Sequence, residues 1–245
     1  MGVENASAAD GFGYDVRVLP RRNIMLSSSF TGWSNYMMDF GKLVQDPDAM
    51  KSFGQTCVLW NLHTRKPLKV FHIPGSPLEI RFAWGEDHNY AFTAAALTSK
   101  LWLVHEDERG AWQATEVGQI GDPAKTPIPV ALSISSDDKL LFVTTFTDGT
   151  CRIYNVEDPF HPSLVTEEVI GRQLNMVSQS WDGTRVYFTS SLLSNWDKRE
   201  KDNEQYMKAY TWDGKKLALD FAVDFNGASL GRPHLMRFGS ASLYN

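Results

Sequence analysis

The sequence has little cysteine, no long apolar run and few helix signals. Only two of its 245 residues are cysteine, Cys57 and Cys151, and neither belongs to a CxxC pair or a disulfide ladder. No apolar run is long enough to cross a bilayer, and residues 1–10 lack the basic start and apolar core of a signal peptide. We therefore expect two reduced thiols within strands and no membrane span. The expected compartment is the cytoplasm, or the periplasm if the N-terminus is incomplete.

Several signatures of enzyme chemistry are also missing. The sequence contains no G-x-S-x-G, no P-loop, no Rossmann glycine pattern and no H-E-x-x-H. A net charge of −5 at pH 7 argues against nucleic acid or an anionic membrane as the main partner. The motifs therefore do not identify an enzyme, although 42% hydrophobic residues suffice for one or two domains with a real core.

What the sequence does contain is a recurring unit of strand, acidic turn and strand. Residues 177–190 alternate, turn at Asp182-Gly183, and continue as a run rich in aromatic and β-branched residues. Asp-Gly favours a tight turn because glycine adopts positive φ at little cost. Residues 132–145 repeat this pattern of strand, acidic turn and strand around Asp137-Asp138. The pattern predicts a repeat architecture.

Four such units, each of about four short strands, recur roughly every 40 to 65 residues, which is typical of β-propeller blades. The predicted fold is all-β: a β-propeller of WD40-like repeats with about four four-stranded blades. An all-β sandwich is the alternative. We expect residues 1–13 to be a flexible lead-in and residues 14–245 to form a single domain. The apolar loop at residues 31–54 should pack on the domain or serve function, and only residues 37–52 could hold a short helix.

Four stretches carry a resemblance to a known family. They are GYDV with PRRNIMLS (13–16 and 20–27), PLEIRF (77–82), LSISSDDKLLF with RIYNVEDP (132–142 and 152–159), and residues 178–198, which end in SNWDK. In this order they are similar to motifs of the selenium-binding protein / methanethiol oxidase family. Together they span nearly the whole chain.

The resemblance implies a seven-bladed propeller nearly twice as long as this chain, which matches only its C-terminal half. It also implies copper-dependent oxidation of a small thiol, methanethiol. The family's His-His-Ser-Gly-Trp-Asn segment and its selenium-associated cysteine lie in the unmatched half, and Cys57 does not correspond to that cysteine. The family motif HE(I/L)RYPGGD appears here as His234-Leu-Met-Arg237-Phe, which keeps the histidine and the arginine but not the glutamate or the Gly-Gly-Asp.

Candidate site residues follow from this comparison and from strand alternation. His234 is the implied metal residue, and Arg237 in the same motif is a candidate for lining the central channel. Glu79 and Arg81 alternate along a strand and so share one face. They form either an ion pair at the surface or between blades, or part of the channel lining. Asp197 and Lys198 are a further candidate ion pair.

The six histidines show no metal-ligand spacing, so copper would need ligands from the unmatched half or from another chain. Two hypotheses follow: a methanethiol oxidase-type enzyme completed by missing blades or a partner, and a non-catalytic binding or assembly subunit that lacks the metal half. Both expect another protein chain or copy to cover open blade faces and hairpin edges such as residues 55–61.

Overall fold

A computed structural model of the chain describes residues 12–193, 195–196, 204–236 and 238. Its contacts divide into two compact units, Met1–Ile128 and Pro129–Asn245. The predicted lead-in lies outside the described residues except for Phe12 and Gly13, and the single-domain boundary at residue 14 stays a prediction. None of the helices in the described ranges is long and apolar enough to cross a membrane.

The first unit holds two four-stranded antiparallel sheets, each with its strands in sequence order. The strands of the first sheet are β1 (Gly13–Leu19), β2 (Ile24–Ser29), β3 (Thr56–Asn61) and β4 (Pro67–His72). Those of the second are β5 (Pro77–Phe82), β6 (Tyr90–Ala95), β7 (Lys100–Glu106) and β8 (Trp112–Gln119). Strand β5 packs on β1 and β2, and a core that includes Leu26, Cys57 and Ile80 is buried within the unit.

The second unit repeats this arrangement. Its sheets comprise β9 (Pro129–Ile134), β10 (Leu140–Thr145), β11 (Thr150–Asn155) and β12 (Ser163–Val169), then β13 (Leu174–Gln179), β14 (Arg185–Ser190), β15 (Tyr206–Trp212) and β16 (Leu217–Asp224). Strand β13 packs on β9 and β10, and the core is built around Phe142, Ile153 and Phe188. The four predicted units and their strand count are confirmed.

The predicted acidic turns form in the same way in both sheets of the second unit. In one, Ser180 Oγ donates to Asp182 Oδ1 at 2.5 Å and Gly183 has φ +71°. In the other, Ser135 Oγ donates to Asp137 Oδ1 at 2.6 Å and Asp138 occupies the glycine position with φ +60°. Aspartate tolerates this left-handed conformation better than most residues, which explains why the second turn needs no glycine.

The first strand of every sheet carries a β-bulge where it pairs with the second. One extra residue interrupts the pairing of β1 with β2, of β5 with β6, of β9 with β10 and of β13 with β14. The bulges fall at Tyr14-Asp15, Leu78-Glu79, Val130 and Asn175. A bulge re-aims side chains relative to strict alternation, so the sequence pattern alone does not determine the face on which these side chains lie.

The apolar loop at residues 31–54 packs on its unit, which was one of the two expectations for this loop. It forms three short helices, α1 (Trp33–Tyr36), α2 (Phe40–Leu43) and α3 (Pro47–Lys51). Asp46 caps α3 by accepting from the backbone N–H groups of Asp48 and Ala49 at 3.0 Å. Leu43 and Phe53 are buried, so the loop adds to the core of the first unit.

Candidate functional site

A charged cluster lies where β5 meets β1 in the first unit. Arg81 binds Glu79 at 2.5 Å, and the same guanidinium lies 3.5 Å from Asp15. The Glu79 side chain is only 5% exposed and that of Arg81 is 20% exposed. The ion-pair alternative for Glu79 and Arg81 is therefore what the structure contains; a role in lining a channel stays a prediction.

Three more side chains, which sequence reasoning missed, complete this cluster. Asp15 accepts from the backbone N–H of Ile80 at 3.0 Å, and Arg17 lies 3.2 Å from the Asp15 carboxylate and donates to the carbonyl of Ile80. Burial, followed by the negative charges of Glu79 and Asp15, raises the pKa of Tyr14 above its usual range, although 37% of Tyr14 stays exposed. Two acidic and two basic side chains balance here, so the cluster is neutral and largely satisfied.

His234 lies in the second unit beside the start of β13. Its Nδ1 is 3.2 Å from the amide nitrogen of Asn175 and 3.2 Å from the carbonyl oxygen of Ser191. Asn175 is fully buried and donates to the same Ser191 carbonyl at 2.9 Å. His234 as a whole residue is exposed, and the Nδ1 edge of its ring lies against Asn175 and Ser191.

The segment that carries His234 is held on β13 and β14 through its backbone. Thr189 Oγ1 donates to the carbonyl of His234 at 2.5 Å, and Ser178 Oγ donates to that of Met236 at 2.8 Å. Leu235 packs against the core of the unit. The ring of Phe238 meets that of Tyr187 edge-on at 5.1 Å.

The same kind of hydrogen bond joins the two sheets within each unit. In each case a hydroxyl on the second strand of one sheet donates to a backbone carbonyl on the first strand of the next sheet. The fifth residue of β2, Ser28, donates to the carbonyl of Leu78 in β5, and the fifth residue of β10, Thr144, donates to that of Asn175 in β13. Thr189 is the fifth residue of β14. The His234 carbonyl therefore accepts the same hydrogen bond as the Leu78 and Asn175 carbonyls, and the sequence PHLMRF at residues 233–238 parallels the PLEIRF of β5.

This likeness is an internal parallel within the sequence. It places His234 at the position of Leu78 and Arg237 at the position of Arg81. Arg237, like Asp197 and Lys198, lies outside the described residues. The structure therefore brings Glu79 and Arg81 together and keeps His234 within the other unit.

The described residues do not supply a copper site. No three side chains of histidine, cysteine, aspartate or glutamate converge anywhere in the described ranges. His63, His72, His88 and His161 are exposed, and His161 is bound to Asp158 at 2.8 Å. Copper in proteins needs several nitrogen or sulfur ligands around one ion, and among the described residues around His234 there is a single imidazole.

The two cysteines are free thiols, as expected, and both are fully buried, in β3 and β11. Burial raises the pKa of the Cys151 thiol well above its usual range. A buried thiol that stays protonated is neither a nucleophile nor a metal ligand. Cys57 and Cys151 therefore serve the core.

Comparison with known proteins adds a family and a set of relatives. Residues 3–242 match the family described as 56kDa selenium binding protein (SBP56). The chain is 61% identical over 239 residues to a methanethiol oxidase of Ruegeria pomeroyi, covering 98% of this chain and 55% of that protein. It is 55% identical over 231 residues to a methanethiol oxidase of Hyphomicrobium sp, covering 94% and 53%. The chain thus spans about half the length of the curated relatives it matches.

Solved structures agree on the fold. A hypothetical selenium-binding protein from Sulfolobus tokodaii superimposes with a TM-score of 0.76 at 24% identity, covering 87% of this chain and 55% of that one. The β-propeller domain of Cps50 (Swd1) from Myceliophteria thermophila gives a TM-score of 0.54 at 12% identity, covering 82% and 55%. The fold class is a partial β-propeller of four four-stranded sheets.

Proposed function

Because this chain belongs to the 56 kDa selenium binding protein family, we propose that it forms part of a methanethiol oxidase-type enzyme that acts on a small thiol. The observation that carries the proposal is the 61% identity to the Ruegeria methanethiol oxidase over 98% of this chain. The relatives' names favour this hypothesis over a non-catalytic assembly subunit. The substrate, the metal and the partner of this chain are all parts of the proposal.

The proposal includes copper, but the described residues of this chain supply only part of the ligand set that copper needs. His234 is the one histidine that matches a family motif, and it is an exposed residue. Further ligands would come from side chains outside the described residues, in the unmatched blades or in another chain. The chain's own contribution is to bind the His234 segment to β13 and β14 and to hold the imidazole edge beside Asn175.

The proposed partner is a protein chain or copy that completes the blades. Residues 233–236 are held on β13 and β14 through their backbone, at the place where a further blade would begin. At the other end of the described chain, Val16 and Val18 of β1 are 54% and 50% exposed. Such apolar side chains on an outer sheet face are suited to burial against another blade.

One expectation about this surface is wrong. Residues 55–61 were expected to form an open hairpin edge, but β3 lies between β2 and β4 and is paired on both sides. The residues that a partner would cover are therefore those of β1 and of the segment at residues 233–238, and not β3.

A complementation experiment tests the proposal. The part of the Ruegeria methanethiol oxidase that this chain does not match is co-expressed with, or fused to, the full chain, and oxidation of methanethiol is measured after copper loading. We expect activity in the completed protein and none in either part alone. A completed protein that folds, as judged by a cooperative thermal transition, and holds copper but leaves methanethiol unchanged would contradict the enzyme and favour the assembly subunit.

A further inference from the structure

The contacts around His234 determine which of its two nitrogens carries the proton. Asn175 Nδ2, the carbonyl oxygen of Ser191 and His234 Nδ1 form a nearly equilateral triangle, with sides of 2.9, 3.2 and 3.2 Å. The corners of such a triangle are about 60°, whereas the two N–H bonds of a planar amide diverge by about 120°. The Asn175 amide nitrogen therefore cannot donate well to both of its neighbours.

The shorter side of the triangle is the hydrogen bond from Asn175 to Ser191. A carbonyl oxygen has two lone pairs and accepts over a broad range of directions, so Ser191 can accept a second hydrogen bond from His234 Nδ1. Reversing the Asn175 amide would place its oxygen 2.9 Å from the Ser191 carbonyl, which sets two acceptors against each other. The arrangement therefore favours a proton on Nδ1.

We propose that Asn175 and Ser191 are positioning residues that hold the His234 imidazole with its proton on Nδ1 and its lone pair on Nε2, the ring nitrogen that does not contact them. The hydrogen bond of the inner nitrogen selects the tautomer of a histidine and thereby what the outer nitrogen can bind. In this form Nε2 accepts a hydrogen bond or a coordinate bond, and does not donate.

Three features of the backbone support a built arrangement. Asn175 is the extra residue of the bulge between β13 and β14, which turns its side chain away from strict alternation. Ser191 has φ +78°, a left-handed conformation that non-glycine residues adopt at a cost and that clusters at functional sites. Thr144 fixes the Asn175 backbone by donating to its carbonyl.

A further polar atom at this place has no partner among the described residues. The amide oxygen of Asn175 is buried and accepts no hydrogen bond there. Buried acceptors without a partner are rare and often mark a place for a water molecule or a ligand. Asn175 thus combines a fixed donor toward Ser191 with an acceptor that a small polar molecule can satisfy.

For the ligand, this inference rests on the proposed function: the Nε2 lone pair is the one acceptor of the imidazole, and it can bind either a metal ion or the S–H group of a small thiol. The tautomer itself does not depend on that function. It is a property of this chain and can be measured without turnover.

The test is nitrogen NMR on the full chain with 15N-labelled histidine, near pH 8.5, about two units above the usual pKa of histidine. A His234→Gln variant assigns the signals. We expect a single tautomer with the proton on Nδ1 in the wild type, and loss of that single tautomer in Asn175→Ala. Asn155→Ala, which removes an asparagine bound to Glu157, is the matched control and should leave His234 unchanged.

Two results would overturn the proposal: a wild-type His234 with its proton on Nε2, or an Asn175→Ala variant of unchanged circular dichroism that keeps the Nδ1 tautomer. If Asn175→Ala fails to fold, the wild-type spectrum alone decides. An inactive completed enzyme whose His234 carries the proton on Nδ1 would refute the proposed function and leave this inference standing.

Discussion

Removing the carboxylate of Glu79 should destabilise the first unit markedly. Glu79→Ala leaves the Arg81 guanidinium with the Ile80 carbonyl at 2.7 Å and Asp15 at 3.5 Å, in a side chain that is 20% exposed. Removing one partner of a fully buried ion pair costs about 3–5 kcal/mol. Because Arg81 keeps two partners and some access to water, we expect a loss of about 2–3 kcal/mol.

The measurement is urea unfolding followed by circular dichroism, with the slope of the transition compared between variants. The matched control is Glu116→Ala, which breaks the pair with Lys100 at 2.8 Å; those side chains are 44% and 34% exposed. An exposed pair contributes about 0–1 kcal/mol, so the control should lie close to the wild type.

A double replacement separates the structural role of the pair from a role in the site. Replacing Glu79 and Arg81 together by leucine and methionine removes both charges and fills similar volume, which is often neutral for stability. If Glu79→Ala is no more destabilising than Glu116→Ala, the buried-pair reasoning is refuted. If the double variant is stable but a completed enzyme that contains it is inactive, the pair belongs to the site.

Three further outcomes are expected. Thr144→Val should lower the free energy of unfolding in urea by about 1–3 kcal/mol, because it leaves the buried Asn175 carbonyl without its hydroxyl donor. The control is Thr211→Val, where the hydroxyl is exposed and its hydrogen bond is 3.4 Å long, so that the loss should be small. Equal losses in the two variants would contradict the reasoning. In the native chain at pH 8, neither Cys57 nor Cys151 should react with a thiol-specific reagent until denaturant is added, since both are fully buried and burial raises the pKa of the Cys151 thiol; rapid labelling would show an open path to the core. The purified chain should hold less than one tightly bound copper by metal analysis, and one copper per chain that survives dialysis would point to ligands outside the described residues.

The sequence predicted the strands well because each has a strong local signal. Alternation and β-branched content located β2, β5 and β14, and the acidic turns located their connections. The pairing of Glu79 with Arg81 also followed from spacing. These features depend on residues close together in the chain, where propensity and turn chemistry act directly.

What the sequence did not predict depends on contacts between distant residues. The bulges that re-aim Asp15 and Asn175 are set by pairing register, which a single strand does not specify. The hydrogen bonds of Ile80 with Asp15 and of Asn175 with Ser191 join positions that no local pattern connects. The likeness of PHLMRF to PLEIRF gains a structural meaning only from the hydrogen bond between Thr189 and the His234 carbonyl, which joins residues 45 positions apart.

The hydroxyl at the fifth position of a second strand has a consequence for how new chemistry can arise in this fold. Ser28, Thr144 and Thr189 each recognise a backbone carbonyl, not a side chain, of the strand that packs on them. The residue that supplies that carbonyl is Leu78 in one case, Asn175 in another and His234 in the third. The hydrogen bond between sheets therefore forms equally with a residue that carries an apolar group, an amide or an imidazole. A substitution at this position can change the reactivity of one blade and leave its hydrogen bond to the next blade intact.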